Sequence, residues 1–586
     1  MRWRWVQALV GTFLLLFATG HGSLENTDAT MTMHAARALW LRGDSGLRST
    51  GRDPEWPGEE FIANLVIGAA AEGTALYGKQ GSNGLVYVWF PMGHIWLMVP
   101  AVAFGELLDR CFPGAETLFR ETVAPGLDGA ALFQSPSYRD GHYVLDQALV
   151  AVLPAGFGAV SILLLFLIAL GLGAKRRDAL LSTAAIALGT QFFPLVRENL
   201  SDGPGQCFLL AALLATVRAV VGQGTPRTLL LGGCAAGCAV LSRYQHGTLV
   251  PFLIVAIALA AHRHGRLRQV LWFALGGLPC LALLLLVNYL RYGDVADTGY
   301  PEAGSWFNYP ILFGATKILF AAGKGILWFS PLLWLVVPLS LRRSRAANPD
   351  LVDHDHGHGT RPPLRLRWLA WCLFLVPMLM FSSTPGWQAG QCWGVRYVTP
   401  GITCLLAIML PQLRPWTSHR RTFLLLLLAG ALVNLTGIVT PTRGFGQLAG
   451  QAAVAFYQRE FEAGRISQVD WDNLDAADHY FFEPRYSALH ANWSYLFRSL
   501  TGGFEDEEQR PRNGSANTIE PLFGVRAVTA RQAWAPLHWQ DRGGRHLWWT
   551  FWGALLGVPS GLLLVPVLLL GIGLAGVGWR RILQQP

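Results

Sequence analysis

Apolar stretches long enough to cross a membrane recur along the whole chain. A membrane-spanning helix needs about 20 consecutive, mostly apolar residues. About thirteen candidates alternate with short polar segments: Trp5–Gly20, Pro91–Leu108, Ala148–Leu172, Ala179–Leu195, Gly205–Val221, Leu229–Leu241, Thr248–Ala261, Val270–Leu290, Gly325–Leu341, Trp368–Phe381, Val398–Leu413, Phe423–Val439 and Trp548–Val577. The pattern predicts an all-α polytopic membrane protein with about 12–13 transmembrane segments.

Three longer polar regions lie between these segments, at residues 21–90, 291–322 and about 441–546. We therefore divide the chain into a transmembrane domain at 1–440 with its first external loop at 21–90, an external loop or small domain at 441–546, and a final transmembrane helix with its tail at 547–586. Within the first loop, Thr27–Leu41 has helical spacing of apolar residues, with Asn26 or Thr27 as N-cap and Gly43 as a stop. We expect it to be an amphipathic helix in the membrane interface, followed by a second interfacial helix at Phe61–Tyr77.

Charge and composition agree with a membrane location. Of the 586 residues, 52% are hydrophobic and 14% charged, and the net charge of +9 comes from basic residues in short loops rather than on one face. This distribution is typical of cytoplasmic loops and argues against nucleic-acid binding. It orients the first segment outward as an uncleaved anchor and places all three polar regions outside. Residue usage suggests a high-GC bacterium, hence the bacterial inner membrane.

The orientation rule creates one conflict. Thirteen crossings from a cytoplasmic start would leave the C-terminus outside, although the terminal Gly-Trp-Arg-Arg indicates the inside. One apolar segment is therefore expected not to cross. Pro91–Leu108 is a candidate, as is the interrupted pair Leu229–Leu241 and Thr248–Ala261.

Two acids follow the first apolar segment. Glu25 and Asp28 are three residues apart, so they share one side of a helix that begins early enough. A carboxylate there could act as a general base toward an acceptor hydroxyl. The alternative is that Asp28 only caps the helix, which is also a favoured use of Asp.

Further polar and aromatic side chains stand at the ends of apolar segments. Lys79 could bind a phosphate or only snorkel, and the guanidinium of Arg396 suits a phosphate in a bidentate manner or could anchor the chain at the interface. Charges inside apolar sequence should face a cavity or pair with one another. The candidate binding residues are Lys79, Tyr87, His94, Arg197, Glu198, Arg243, Tyr300, Trp387, Arg396 and Tyr397.

Neither the cysteines nor the histidine-rich tract predicts a metal centre. The eight cysteines have no CxxC pair, and Cys234 and Cys238 share a helix face without a His or an acid. The tract at 353–360, Asp-His-Asp-His-Gly-His-Gly-Thr, falls in a predicted cytoplasmic loop. We interpret it as a linker.

The order of these motifs resembles the GT-C superfamily of membrane glycosyltransferases, in particular polyprenyl-phosphate-sugar enzymes related to the protein mannosyltransferase and aminoarabinose transferase families. The first-loop pattern D-x3-Y-x2-A-x3-L-x3-G is matched by Asp28, Ala35, Leu39 and Gly43, with Thr32 at the Tyr position. Tyr87–Gly93, GCAVLSRYQHG, NYLRYGDVADTGY and WQAGQCWGVRYVTP follow in the family's order. The resemblance spans about residues 5–412.

The resemblance implies a GT-C-like bundle and a reaction. A sugar on an external-facing polyprenyl phosphate would move, with inversion, to a hydroxyl of a lipid, glycan or protein acceptor. Asp28 would be the base, with Glu25 as helper or rival, and Arg396, Arg243 and Lys79 would bind the phosphate. A divalent cation, Mg²⁺ or Mn²⁺, is used by some members of the family, and two acids do not decide whether it is used here.

Two other classes fit the same composition. A lipid-linked sugar flippase or secondary transporter would place Arg197, Glu198 and Arg243 in a site near the midplane. A non-catalytic scaffold would require neither Asp28 nor Arg396. Release of polyprenyl phosphate distinguishes a transferase from both.

Overall fold

The all-α prediction is confirmed by a computed structural model of the chain. It describes residues 2–22, 24, 27–51, 56, 58–67, 77–114, 117–118, 144–263, 265–300, 306–345, 364–389, 392–439, 458–467 and 547–584, together with single positions and pairs between 484 and 497. Glu25, the linker at 353–360 and most of the region at 441–546 lie outside the described residues.

The first half of the described chain contains eleven helices and one hairpin. They are α1 (Arg2–Ala18), α2 (Thr27–Arg42), α3 (Glu59–Ile67), β1 (Gly78–Gln80), β2 (Val86–Val88), α4 (Met92–Cys111), α5 (Val144–Val150), α6 (Leu153–Gly171), α7 (Arg176–Gly189), α8 (Phe192–Arg197), α9 (Asp202–Val220), α10 (Pro226–Ser242) and α11 (Val250–Arg263). A 3₁₀ turn at Tyr244–Thr248 links α10 to α11.

The second half of the described chain contains ten helices. They are α12 (Arg268–Tyr292), α13 (Ile311–Phe320), α14 (Ile326–Phe329), α15 (Leu333–Arg345), α16 (Leu364–Ser382), α17 (Thr399–Leu413), α18 (Pro415–Ser418), α19 (Arg420–Val439), α20 (Trp548–Leu556) and α21 (Ser560–Leu583). A 3₁₀ turn at Arg396–Val398 leads directly into α17.

The described chain is that of a multi-pass membrane protein. Seven of its helices are long and apolar enough to span a bilayer, and three shorter helices are also apolar. α4, which corresponds to the doubtful segment Pro91–Leu108, is not among the seven. The largest buried apolar cluster joins α6, α7, α9 to α11 and α15 to α17.

The two terminal helices pack antiparallel. A side-chain nitrogen of Arg4 donates to the Arg581 carbonyl at one end, and the Trp548 amide donates to the Gly20 carbonyl at the other. Both basic ends therefore lie on the same side of the bundle, which requires an even number of crossings. The apolar segment predicted at Trp548–Val577 is two helices. Gly557 in the left-handed conformation ends α20, and Pro559 stands immediately before α21.

The first external loop differs from the prediction in two respects. α2 has the expected bounds and ends before Gly43 (φ +74°), but it is not amphipathic, because residues 31–38 are all buried. Its polar residues are satisfied inside the protein: the Trp56 indole N–H donates to His34 Nδ1 at 3.2 Å, and Arg37 pairs with Asp146 at 2.8 Å.

The second difference follows the helix predicted at Phe61–Tyr77. The structure describes α3 over Glu59–Ile67, and residues 68–76 lie outside the described residues. From Gly78 the chain forms an antiparallel hairpin, which was not predicted and in which Lys79 pairs with Tyr87. The connecting Gly-Ser-Asn-Gly carries a left-handed Gly84 (φ +81°), as a tight turn requires. The hairpin packs on the C-terminal end of α12, because the Ser82 amide donates to the Arg291 carbonyl. The first two polar regions are thus on one side of the bundle.

Candidate active site

Four charged side chains from four separate elements meet at this side of the bundle. Asp28 is in the first turn of α2, and Asp202 is the first residue of α9. Arg243 caps the C-terminus of α10 in an extended conformation, and Arg396 begins the 3₁₀ turn before α17. Each carboxylate lies at the positive end of a helix dipole, and Arg243 lies at a negative end, so the local backbone favours each charge.

The contact between Asp28 and Arg396 joins residues 368 positions apart. Arg396 Nη2 donates to Asp28 Oδ2 at 3.1 Å, and the two side chains are 13% and 20% exposed. The structure therefore brings together two residues that the sequence analysis selected separately. The partial exposure of Asp28 leaves it open to a second molecule.

Asp202 lies between the two guanidinium groups. Its Oδ2 accepts a hydrogen bond from Arg243 Nη1 and is 3.9 Å from Arg396 Nη1. Arg243 also donates to Ser201 Oγ at 3.2 Å. Because Asp202 is fully buried, it can hold both guanidinium groups in place and can hardly contact a substrate itself. It is a positioning residue that the set of candidates from the sequence did not include.

Aromatic rings form one wall of the site. Both Arg243 and Arg396 lie over the ring of Tyr397, at 5.3 and 5.4 Å from its centroid. Tyr300 stacks on Trp89 at 5.1 Å and meets Tyr244 edge-on at 6.0 Å. Burial raises the pKa of the Tyr300 phenol, which therefore stays protonated and can donate a hydrogen bond.

Arg197 and Glu198 form a neighbouring cluster with His21. Arg197 Nη2 is 3.1 Å from His21 Nε2, and its Nη1 donates to the Gly437 carbonyl at 3.3 Å, while Glu198 is 3.7 Å from His21. Burial alone would raise the pKa of Glu198, but His21, Arg197 and Arg396 outweigh it, and the pKa is lowered. Glu198 is therefore an anion beside the site.

Lys79 holds the hairpin to the segment after α12, and Tyr87 holds it to the loop after α2. Lys79 pairs with Asp297 and lies 4.8 Å from the ring centroid of Tyr292. The Tyr87 hydroxyl donates to Asp44 Oδ2 at 2.9 Å, and burial raises the pKa of Tyr87 to about 12. These contacts give both residues a structural role at the rim of the site.

His94 and Trp387 are buried. His94 lines a small cavity of about 10 Å³, room for about one water molecule, together with Met98, Phe157 and Asn199. Trp387 has Lys317 at 5.9 Å from its ring centroid, and Lys317 also donates to the Tyr309 hydroxyl.

Lys324 is a second residue that the sequence analysis missed. Its ammonium group is buried and donates to the carbonyls of Cys392 and Gly394, the latter at 3.1 Å and two residues before Arg396. It thereby fixes the loop that presents Arg396. The sequence did carry a signal that could have identified Lys324: it is a lysine between two glycines in apolar sequence, and such a charge is unusual at membrane depth.

The described residues around Asp28 do not fit a divalent cation. A Mg²⁺ or Mn²⁺ site draws on several oxygen ligands. Here the groups next to Asp28 and Asp202 are guanidinium ions, and Asp202 is already held by Arg243. Glu25, which could add a carboxylate, lies outside the described residues.

Comparison with known proteins shows which segment of the chain is similar to a known family. Residues 146–289 match the family model described as dolichyl-phosphate-mannose-protein mannosyltransferase. The predicted resemblance to the protein mannosyltransferase family is thereby confirmed over residues 146–289. The mannosyltransferase-like segment, as we call residues 146–289, extends from α5 to near the end of α12 and supplies Asp202 and Arg243 to the site.

One solved structure was also found. The crystal structure of ArnT from Cupriavidus metallidurans bound to undecaprenyl phosphate is similar with a TM-score of 0.43 and 12% sequence identity, over 96% of this chain and 79% of that chain. No curated protein matches the chain.

Proposed function

We propose that the protein transfers a sugar from a polyprenyl-phosphate carrier to a hydroxyl acceptor, with inversion, on the external face of the bacterial inner membrane. The observation that carries this proposal is the 3.1 Å contact between the partly exposed Asp28 and Arg396. This contact supports the proposal, because a base and a phosphate ligand so close together can act on one substrate. The match of residues 146–289 to a family named for a lipid-phosphate sugar donor supports the donor class.

The chemistry assigns the two charges different tasks. Asp28 takes the proton of the acceptor hydroxyl as its oxygen bonds to the anomeric carbon. The bond from that carbon to the phosphate oxygen breaks, and its electron pair stays on the phosphate. A single displacement of this kind inverts the anomeric carbon. The products are the new glycoside and polyprenyl phosphate.

The phosphate gains one negative charge in this step, since a diester leaves as a monoester. Arg396 and Arg243 are positioned to stabilise that charge, and Asp202 orients both. Asp28, Asp202, Arg243 and Arg396 carry no net charge together, so an arriving phosphate competes with Asp28 for Arg396. Donor binding thereby releases the carboxylate for proton abstraction.

The test uses purified full-length protein in lipid nanodiscs with a panel of polyprenyl-phosphate-linked hexoses and pentoses. A transferase releases polyprenyl phosphate, which mass spectrometry detects, and Asp28→Asn abolishes the release without loss of folding. Asp178→Asn is the matched control, because Asp178 also pairs with an arginine, Arg414, outside the site. Movement of the intact donor across vesicles by Asp28→Asn protein, with no release by the wild type, would instead establish a transporter.

A further inference from the structure

Three thiols from two apolar helices converge outside the site described above. Cys234 and Cys238 lie one turn apart on α10, and Cys280 faces them from α12. Their sulfur atoms all lie within 4.8 Å of one another, and Cys238 Sγ is 3.9 Å from Cys280 Sγ. The sequence revealed the first two residues on one helix face, and helix packing supplies the third.

Close backbone packing fixes the separation of these sulfurs. A side-chain carbon at Gly233 or Gly276 would collide with a main-chain carbonyl of the opposite helix, and one at Gly237 would collide with Cys280 Cβ. Small residues of this kind let membrane helices approach closely. The backbones of α10 and α12 thus hold the three thiols at their present spacing. The thiols therefore need little rearrangement to bind one ion.

The donor set selects for a soft ion. Within the described chain the group contains only the three cysteines, with no histidine or carboxylate. Zn²⁺ in a structural site takes four ligands, whereas sulfur ligands alone favour soft ions such as Cu⁺. Each sulfur that ligates the ion does so as thiolate and releases its proton to solution, and one thiolate already neutralises the charge of a monovalent ion within the bilayer, whereas a divalent ion needs two.

We propose that Cys234, Cys238 and Cys280 form a binding site for one monovalent soft metal ion, Cu⁺. Cys234 is exposed on the outside of the bundle, Cys238 is half-buried and Cys280 is buried. The ion is therefore held between the two helices, with Cys234 on its outer side. This site stands independently of the proposed transferase reaction.

The experiment measures copper retained by the reduced, full-length protein in nanodiscs. Cu⁺ is supplied in the presence of a chromophoric Cu⁺ chelator, and metal per chain is counted after desalting. We expect about one retained ion, and Cys238→Ser or Cys280→Ser should weaken retention at least about 10-fold. Cys372→Ser and Cys404→Ser are matched controls, because these cysteines lie on α16 and α17; they should retain the ion.

Two results would overturn the site: equal retention by the wild type and by a Cys234→Ser, Cys238→Ser, Cys280→Ser triple variant, or equal losses in the control variants. A second measurement needs no variant to fold. Ag⁺, a redox-inert substitute, should protect Cys234 of the wild type from a membrane-permeant maleimide more strongly than Cys111, which is also exposed. Equal labelling of the two cysteines would contradict the proposal.

Discussion

Replacing Asp28 by asparagine tests the proposed chemistry with little change of shape. The amide oxygen can still accept the hydrogen bond from Arg396, which also lies 3.9 Å from Asp202. Arg396 keeps its neighbour Asp202, so we expect a stability cost of only about 1 kcal/mol for loss of this partly exposed pair. The amide is a very weak base, however, so the proton of the acceptor has no good destination.

The expected loss of rate in Asp28→Asn follows from the usual contribution of a general base, which is about 10²- to 10⁴-fold. This corresponds to a barrier increase of about 3–5 kcal/mol at 1.36 kcal/mol per tenfold. The assay is single-turnover release of polyprenyl phosphate at saturating donor, with donor affinity measured separately. The decrease should lie in the rate constant, while donor affinity stays equal or rises, since Arg396 no longer has a carboxylate competing with the phosphate.

Asp178→Asn separates loss of a base from loss of an ion pair. Asp178 is 14% exposed, close to the 20% of Asp28, and like Asp28 it is paired with an arginine. It should reduce the thermal midpoint without reducing turnover. If a folded Asp28→Asn protein turns over within about tenfold of the wild type, proton abstraction by Asp28 is refuted.

Three further outcomes follow from the structure. Arg396→Lys should lower turnover about 10- to 100-fold in the release assay, because one ammonium group cannot replace the two Nη atoms that face Asp28 and Asp202. An unchanged rate would show that the two-pronged guanidinium of Arg396 is not needed. Burial and the charge of Arg37 lower the pKa of His34 from 6.5 to about 3, so the unfolded chain binds an extra proton below pH 6.5. Stability should fall by about 1.4 kcal/mol per pH unit below 6.5, and thermal midpoints at pH 7.5 and 5 should differ less for His34→Gln than for the wild type. Gly93→Ala should lower the free energy of unfolding by about 1–3 kcal/mol and lower activity, because the added methyl group collides with the Leu241 backbone near Arg243. Gly156→Ala is the control: its methyl group contacts nothing, so denaturant unfolding should show no change in stability.

Local patterns predicted much of the fold. The apolar runs gave the helices of the bundle, and Gly43 marked the end of α2 because its left-handed backbone stops a helix. Arg396 could be chosen because a guanidinium at the start of an apolar helix is uncommon enough to suggest a role. These signals depend on a few neighbouring residues, which a sequence displays directly.

Tertiary contacts could not be predicted in the same way. The role of Asp202 depends on Arg243 and Arg396, and Lys324 becomes relevant only because its loop packs beneath Gly394. The hairpin was not predicted because its strands have only three residues each, too few for alternation to show.

The burial of α2 has a consequence for catalysis. An interfacial helix would let Asp28 move with the membrane surface, whereas α2 is enclosed over residues 31–38 and held to α5 by the Arg37–Asp146 pair. α5 begins the mannosyltransferase-like segment that also contains Asp202 and Arg243. The proposed base is therefore fixed to the same framework as the proposed phosphate ligands. Because catalytic geometry tolerates only small displacements, this rigid connection, rather than the acid alone, is what makes Asp28 suited to its proposed role.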